Sequence, residues 1–132
     1  MPDLGPLFAL GQSLAASAIT TSGTTVRVET RVTATDPDTL APSTTATPLG
    51  SYAAIVAPAG MNVMHELLPG VEVHATDWRV VLLPDTPMPP VGSWIVCEAS
   101  LDPHLSGADA RVLGAVVSSA GAVLTVYARP TR

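Results

Sequence analysis

The chain has 132 residues, 47% of them hydrophobic, enough to bury one modest core and too few for a second, so a single domain spanning 1–132 is expected. Its formal net charge is −5, lysine is absent and no basic run occurs, which argues against tight nucleic-acid binding, where cations must displace counterions from the phosphate backbone. Only 13% of residues are charged while 13 prolines and 10 glycines punctuate the chain, which excludes long helices as the dominant element.

The first stretch, DLGPLFALGQSLAASAITTSG, reads as one short helix within residues 1–22, with Asp3 or Gly5 available for capping and Pro6 where a helix tolerates it. Leu7, Leu10, Leu14 and Ala18 form a narrow stripe along it. A helix of about 13 residues with Gly11 inside is marginal alone in water, so it must dock on the domain or on a neighbouring subunit. No signal peptide is recognisable and no apolar run is long enough to cross a membrane, so a soluble protein made in a cytoplasm is expected.

From Thr24 the period becomes two: Val26, Val28 and Val32 face one way while Arg27, Glu29 and Arg31 face the other, the pattern of a half-buried strand. Residues 33–50 have almost nothing to bury and contain Pro37, Pro42 and Pro48, so a long mobile loop is expected there, of a length that is usually functional or disordered. Tyr52 to Pro58 reads as a second strand, and Ala59 to Gly70 as a helical turn or connector. Alternation at Val71, Val73 and Ala75 slips onto the other parity at Trp78, Val80 and Leu82, which predicts a β-bulge near Thr76 and Asp77.

Asp85 to Pro90 is a proline-stiffened connector, and a strand reopens through Trp94, Val96 and Cys97. Arg111 to Val117 and Ala122 to Tyr127 form a hairpin turning at Ser118 to Gly121. The fold class expected is therefore mainly β: a small antiparallel barrel of about six strands over 24–128, with a short N-terminal helix and one long loop. Trp78 and Trp94 are taken as its core anchors, and the lone Cys97 as a buried thiol with no neighbour to activate it.

Residues able to do chemistry are few. His65, His74 and His104 lack the paired spacing of zinc ligands, His65-Glu66 lacks a second histidine, and no G-x-S-x-G elbow or phosphate loop occurs. Asp36 and Asp38 invite a calcium reading, yet the further oxygen ligands, central glycine and terminal glutamate of an EF-hand are missing, so DPDT is read as a turn. Asp102 to Gly107 is read likewise. By elimination the chain is a binding or assembly module with no catalytic, metal or cofactor site; a small ligand-binding barrel, or a hydrolase with a site assembled from distant residues, is the alternative from another class.

Taken in order, LGQSLAASAITTSGTTVRVETRVTATDPDT, SYAAIVAP, DWRVVLLPDTPMPPVGSWIVCEASLDPHLSGADARVLGAVV and VLTVYARP resemble the head-to-tail stopper proteins of tailed bacteriophages, in the form common among phages of actinobacteria. The features that carry the resemblance fall at Asp36 to Thr39, Tyr52 to Val56, Leu83-Pro84, Gly92, and Asp102 to Gly107. The sequence departs from the family pattern at Ser93, where Asp is usual, and at Ala53, where Gly usually follows the aromatic.

The resemblance implies a virion structural protein of the phage neck, a β-barrel subunit in a ring of six or twelve copies, six favoured. Its implied partners are the portal and head–tail adaptor on one side and the tail terminator or tail tube on the other. Genome DNA would pass through the lumen without tight or sequence-specific binding, and no membrane is involved. An adaptor or tail-completion protein is the alternative within the same class. The residues implied to reach toward the ring axis or a neighbouring subunit are Thr35, Asp36, Pro37, Asp38, Thr39, Leu40, Ala41, Pro42, Ser43, Thr44, Thr45, Ala46 and Thr47.

Overall fold

Alternating valines start the first strand, but the strand outlasts them. In the computed structural model, which describes residues 5–60, 73–117 and 123–131, strand β1 runs over Thr25–Thr35. It follows helix α1 (Gly5–Thr20) and precedes β2 (Pro42–Ala53), β3 (Ile55–Pro58), β4 (Trp78–Leu82), β5 (Trp94–Ala99), β6 (Asp109–Val117) and β7 (Leu124–Pro130). The seven strands make one antiparallel sheet in the order β2-β1-β5-β6-β7-β4-β3.

The two edge strands of that sheet, β2 and β3, are separated in the chain by Ala54 alone. One residue spans at most about 7 Å between its neighbours' Cα atoms, so the sheet curls until its opposite edges meet at this corner. No ladder joins β2 to β3, and the sheet is therefore open in its hydrogen bonding. Ala54 is fully buried, its N–H donates to the Thr24 carbonyl at 3.0 Å, and its own carbonyl accepts from the Ser22 hydroxyl at 2.7 Å. The corner is thus tied to the segment that leads out of α1.

One face of the curled sheet carries the core. Val26 and Val28 on β1, Ile95 on β5, Ala110 and Val112 on β6, Leu124, Val126 and Ala128 on β7, and Trp78, Val80 and Leu82 on β4 form one buried cluster, as a period of two requires. A smaller apolar patch on the opposite face joins Tyr127 and Ala59, with Val73 and Leu113 against them. Cys97 lies in the core with its Sγ 3.6 Å from the Ala99 carbonyl, and burial pushes its thiol pKa up, so it stays protonated as expected of a packing residue.

The mainly-β class is as expected, with seven strands, and Tyr52 to Pro58 is not one strand but breaks at Ala54 between the end of β2 and β3; four further local expectations need correction. Residues 33–50 are no long loop: β1 continues to Thr35, the turn occupies 36–41, and β2 begins at Pro42. The phase slip at Thr76-Asp77 is a turn rather than a bulge, closed by the Asp77 N–H on the His74 carbonyl at 3.0 Å, with β4 starting only at Trp78. Trp78 anchors the core, whereas Trp94 is half-buried on the opposite face, because the parity that buries Ile95 and Cys97 turns it outward. The helical stripe is exposed at Leu10, Leu14 and Ala18, since no described strand packs along α1. The segment around His65 and Glu66, Val71, the Ser118 to Gly121 turn, Asp3 and the Leu7 side chain lie outside the description.

Candidate functional site

The thirteen residues Thr35 to Thr47 sit together as the outer part of one β-hairpin arm. Thr and Val favour extended backbone, and here they alternate on paired strands: Val32 opposite Thr45, Thr33 opposite Thr44, Ala34 opposite Ser43, Thr35 opposite Pro42. The Thr33 and Thr44 hydroxyls hydrogen-bond across the pair at 3.1 Å. From Val32 to Leu49 every residue is exposed, so the arm leaves the body and has solvent on both faces. A two-stranded ribbon is marginal on its own in water, and this one has no layer beneath it.

The tip is built by Asp36. Its Oδ1 accepts the Asp38 N–H at 2.8 Å, its carbonyl accepts the Leu40 N–H at 2.8 Å, and its own N–H donates to the Ala41 carbonyl at 3.0 Å. The N–H bonds from Asp38 hold the Asp36 carboxyl below its ordinary pKa. That carboxylate is committed to its own turn, and among the described residues no cluster of three or more His, Cys, Asp or Glu side chains is placed to hold a metal ion. Leu40 closes the turn at φ 57°, in the left-handed region, and is 74% exposed.

The arm's root is fixed on both faces. On the outer face Glu29, 2% exposed, accepts from Arg27 Nε at 3.0 Å on one oxygen and from Arg31 Nε at 2.9 Å on the other. The Arg31 guanidinium then lies over the Trp94 ring, 4.4 Å from its centroid, and reaches Asp109 Oδ2 on β6 at 2.9 Å. Arg31 thereby bridges β1 to β6 across β5. Burial would raise the Glu29 carboxyl, but the two guanidinium donors outweigh it and hold the group below its ordinary value. On the core side Tyr52 folds over Gly50, where a methyl group would collide with its hydroxyl, and packs against the core.

The open edge of the arm is β2, and its prolines face outward. Asp36 N–H donating to Ala41 makes that pair a hydrogen-bonded one, so by alternation Thr35–Pro42 and Glu29–Pro48 are pairs that exchange no backbone bonds. Pro42 and Pro48 therefore direct their missing donors to the free edge, which blocks strand addition at both ends of the arm.

Two carboxylates elsewhere, Asp77 and Asp102, are occupied structurally. Asp77, 1% exposed, accepts from the His74 N–H at 2.7 Å and from Arg129 at 3.1 Å; burial would raise its carboxyl, and Arg129 with the His74 N–H hold it below the ordinary value instead. Asp102 caps the His104 N–H at 2.9 Å and accepts the Leu105 N–H on its carbonyl, and Gly107 takes φ 83°, so the Asp102 to Gly107 turn forms as expected. An open depression of about 670 Å³ beside this turn is lined by Thr76, Trp78, His104 and Pro130, among others.

Two features escaped the sequence reading: the pairing of residues 33–50, and the bridge from Arg31 over Trp94 to Asp109. The first had a signal in the alternate threonines on either side of DPDT; the second joins residues 78 apart in the chain and had none.

No family model matches the chain, and no curated protein does. Among solved structures the chain is similar to the solution structure of protein SF1141 from Shigella flexneri 2a, with a TM-score of 0.54 and 16% identity over 84% of this chain and 96% of that one. At that identity the likeness is one of fold, and it extends over most of this chain and nearly all of the other.

Proposed function

We propose that the chain is a virion structural subunit that assembles as a ring in the head-to-tail connector of a tailed phage, acting as the stopper that retains packaged DNA and docks the tail. The sequence resemblance is the source of this reading, and the observation that carries it is the arm. A rigidly rooted hairpin with solvent on both faces has no use inside its own subunit and a clear one between subunits or across a channel. Its tip supports the same role: a leucine at positive φ costs about 1 kcal/mol relative to glycine, and here that residue presents an exposed apolar side chain in the turn of the arm.

The action is mechanical. Arms reaching toward the ring axis narrow the passage, and the charges from Val32 to Leu49 are the carboxylates of Asp36 and Asp38 alone, which repel DNA phosphates rather than hold them. A subunit of net charge −5 lets the genome slide when the gate opens. The portal and adaptor would stand on the head side and the tail terminator or tube on the other.

The test replaces Thr33–Thr44 with Asn-Gly, joining the hydrogen-bonded pair Val32 and Thr45 through a two-residue turn. The expected result is a folded body carried in particles that leak DNA or fail to join tails. Fully infectious particles with the short arm would overturn the gating role, and absence of the wild-type chain from purified virions would overturn the neck assignment.

A further inference from the structure

The root of the arm and the depression beside the Asp102 to Gly107 turn share one carboxylate. Asp109 lines the depression together with Thr131, whose hydroxyl donates to its Oδ1 at 2.6 Å. Its Oδ2 accepts from Arg31 Nη1 at 2.9 Å. Arg31 in turn donates to Glu29 at 2.9 Å, and the other oxygen of Glu29 accepts from Arg27 at 3.0 Å. A run of charge-assisted hydrogen bonds thus leads from the wall of the depression to the strand that carries the arm. We infer that the depression receives a cationic group, an ammonium or a guanidinium, which takes Asp109 from Arg31 and so loosens the arm.

The lining selects the charge. Among the described residues that line the depression, Asp109 supplies the only carboxylate and none is arginine or lysine, while Thr76, Ser106 and Thr131 add hydroxyl oxygens. A chain of net charge −5 draws cations to such a place. The depression is open and, at about 670 Å³, admits the end of a lysine or arginine side chain.

Exchange is inexpensive where simple breakage is not. Pulling Arg31 away with nothing in its place would leave the half-buried Asp109 carboxylate without that charge, whereas an incoming cation swaps one ion pair for another. When Arg31 lets go it still has Glu29 and the Trp94 ring, so the swap strands no buried ion on β1. What is lost is the tie from β1 to β6 across β5, at the residue just before the exposed Val32. The coupling is reciprocal: whatever fixes the arm holds Arg31 on Asp109 and weakens cation binding in the depression by the same factor. The inference goes beyond the ring reading and does not depend on it, because every group in the relay belongs to one chain.

The test uses the isolated chain carrying Ser106→Cys, which puts a thiol on the wall of the depression near Asp109, while the native Cys97 is buried. Two disulfide labels are compared, an aminoethyl group bearing an ammonium and an uncharged methyl group. Hydrogen exchange is read in residues 32–49, with β4 and β7 as the reference. The ammonium label should speed exchange in the arm at least about threefold over the methyl label and leave β4 and β7 unchanged. Asp109→Asn, added to the same chain, keeps an acceptor for Thr131 but drops the charge that Arg31 holds. Its arm should exchange fast under both labels alike. Equal arm exchange under the two labels, with Asp109 in place, overturns the inference whether or not the Asp109→Asn chain folds. An ammonium effect that survives Asp109→Asn also overturns it, because the cation then acts on the arm by another route.

Discussion

Val28 and Val32 lie on the same face of the same strand, four residues apart, yet one is 2% exposed and the other 66%. The strand continues where the core does not. In the body, each apolar side chain on that face has strands curling over it, and each buried charge has a counter-charge. In the arm, and at Leu10 and Leu14 of α1, the same residue types stand in solvent, held by backbone pairing in the one and, among the described residues of the other, by buried Ile19. Stability therefore resides in one region, and exposed apolar surface in the other.

The contrast is broken most sharply by one substitution made twice. Leu82→Ala empties a fully buried core position and should cost about 3 kcal/mol in chemical denaturation. Leu14→Ala removes an exposed side chain and should change stability by less than about 0.5 kcal/mol. Equal losses in the two variants would mean that α1 is packed in the isolated chain.

Arg31 stands at the boundary between the regions. Arg31→Ala removes the group shared by Glu29, Trp94 and Asp109, and leaves the buried Glu29 carboxylate with Arg27. Because one guanidinium remains, the loss should be about 2 kcal/mol, below the 3 kcal/mol or more of a buried ion left with no partner. Amide exchange should accelerate in residues 32–49 beyond the global change, since the root of the arm loses its bridge to β6. Uniform acceleration across the chain would show that the arm is held by something else.

Acid acts on the same charges more gently, because the guanidinium groups stay in place. Glu29 and Asp77 titrate below their ordinary values in the folded chain. Their contribution is complete above the unfolded carboxylate pKa, about 4, and is lost as pH falls through the lower folded values. Denaturation midpoints should hold steady between about pH 8 and pH 5 and decline below about pH 4. Glu29→Gln should flatten part of that decline.

What was legible in the sequence follows the same division. Val26 and Val28, Trp78, Val80 and Leu82, and the final hairpin could be placed because a residue that faces a core alternates with one that faces water. The arm was not placed, because a ribbon exposed on both faces imposes no alternation of polarity; its alternate threonines were the one signal of pairing, and beside its prolines they resemble a linker. The Asp36 turn was legible, since an Asx turn is local, but what it joins was not. The outward turn of Trp94 was missed for a related reason: an aromatic residue beside Ile95 and Cys97 suggests a core, while its parity, opposite to theirs, decides the face.

The smallest effect separates the arm's own stability from its use. Leu40 occupies the left-handed region with a branched side chain, which costs about 1 kcal/mol that glycine would not incur. Leu40→Gly should therefore hold the unfolding free energy or raise it by up to about 1 kcal/mol, with the greater flexibility of the unfolded chain offsetting part of the gain. If the tip is a contact point, the same variant should retain less DNA in particles despite its equal or better folding, because the exposed apolar group is gone. Particles as tight as the wild type would assign the conformation of Leu40 to turn geometry alone and move the closing contact elsewhere on the arm.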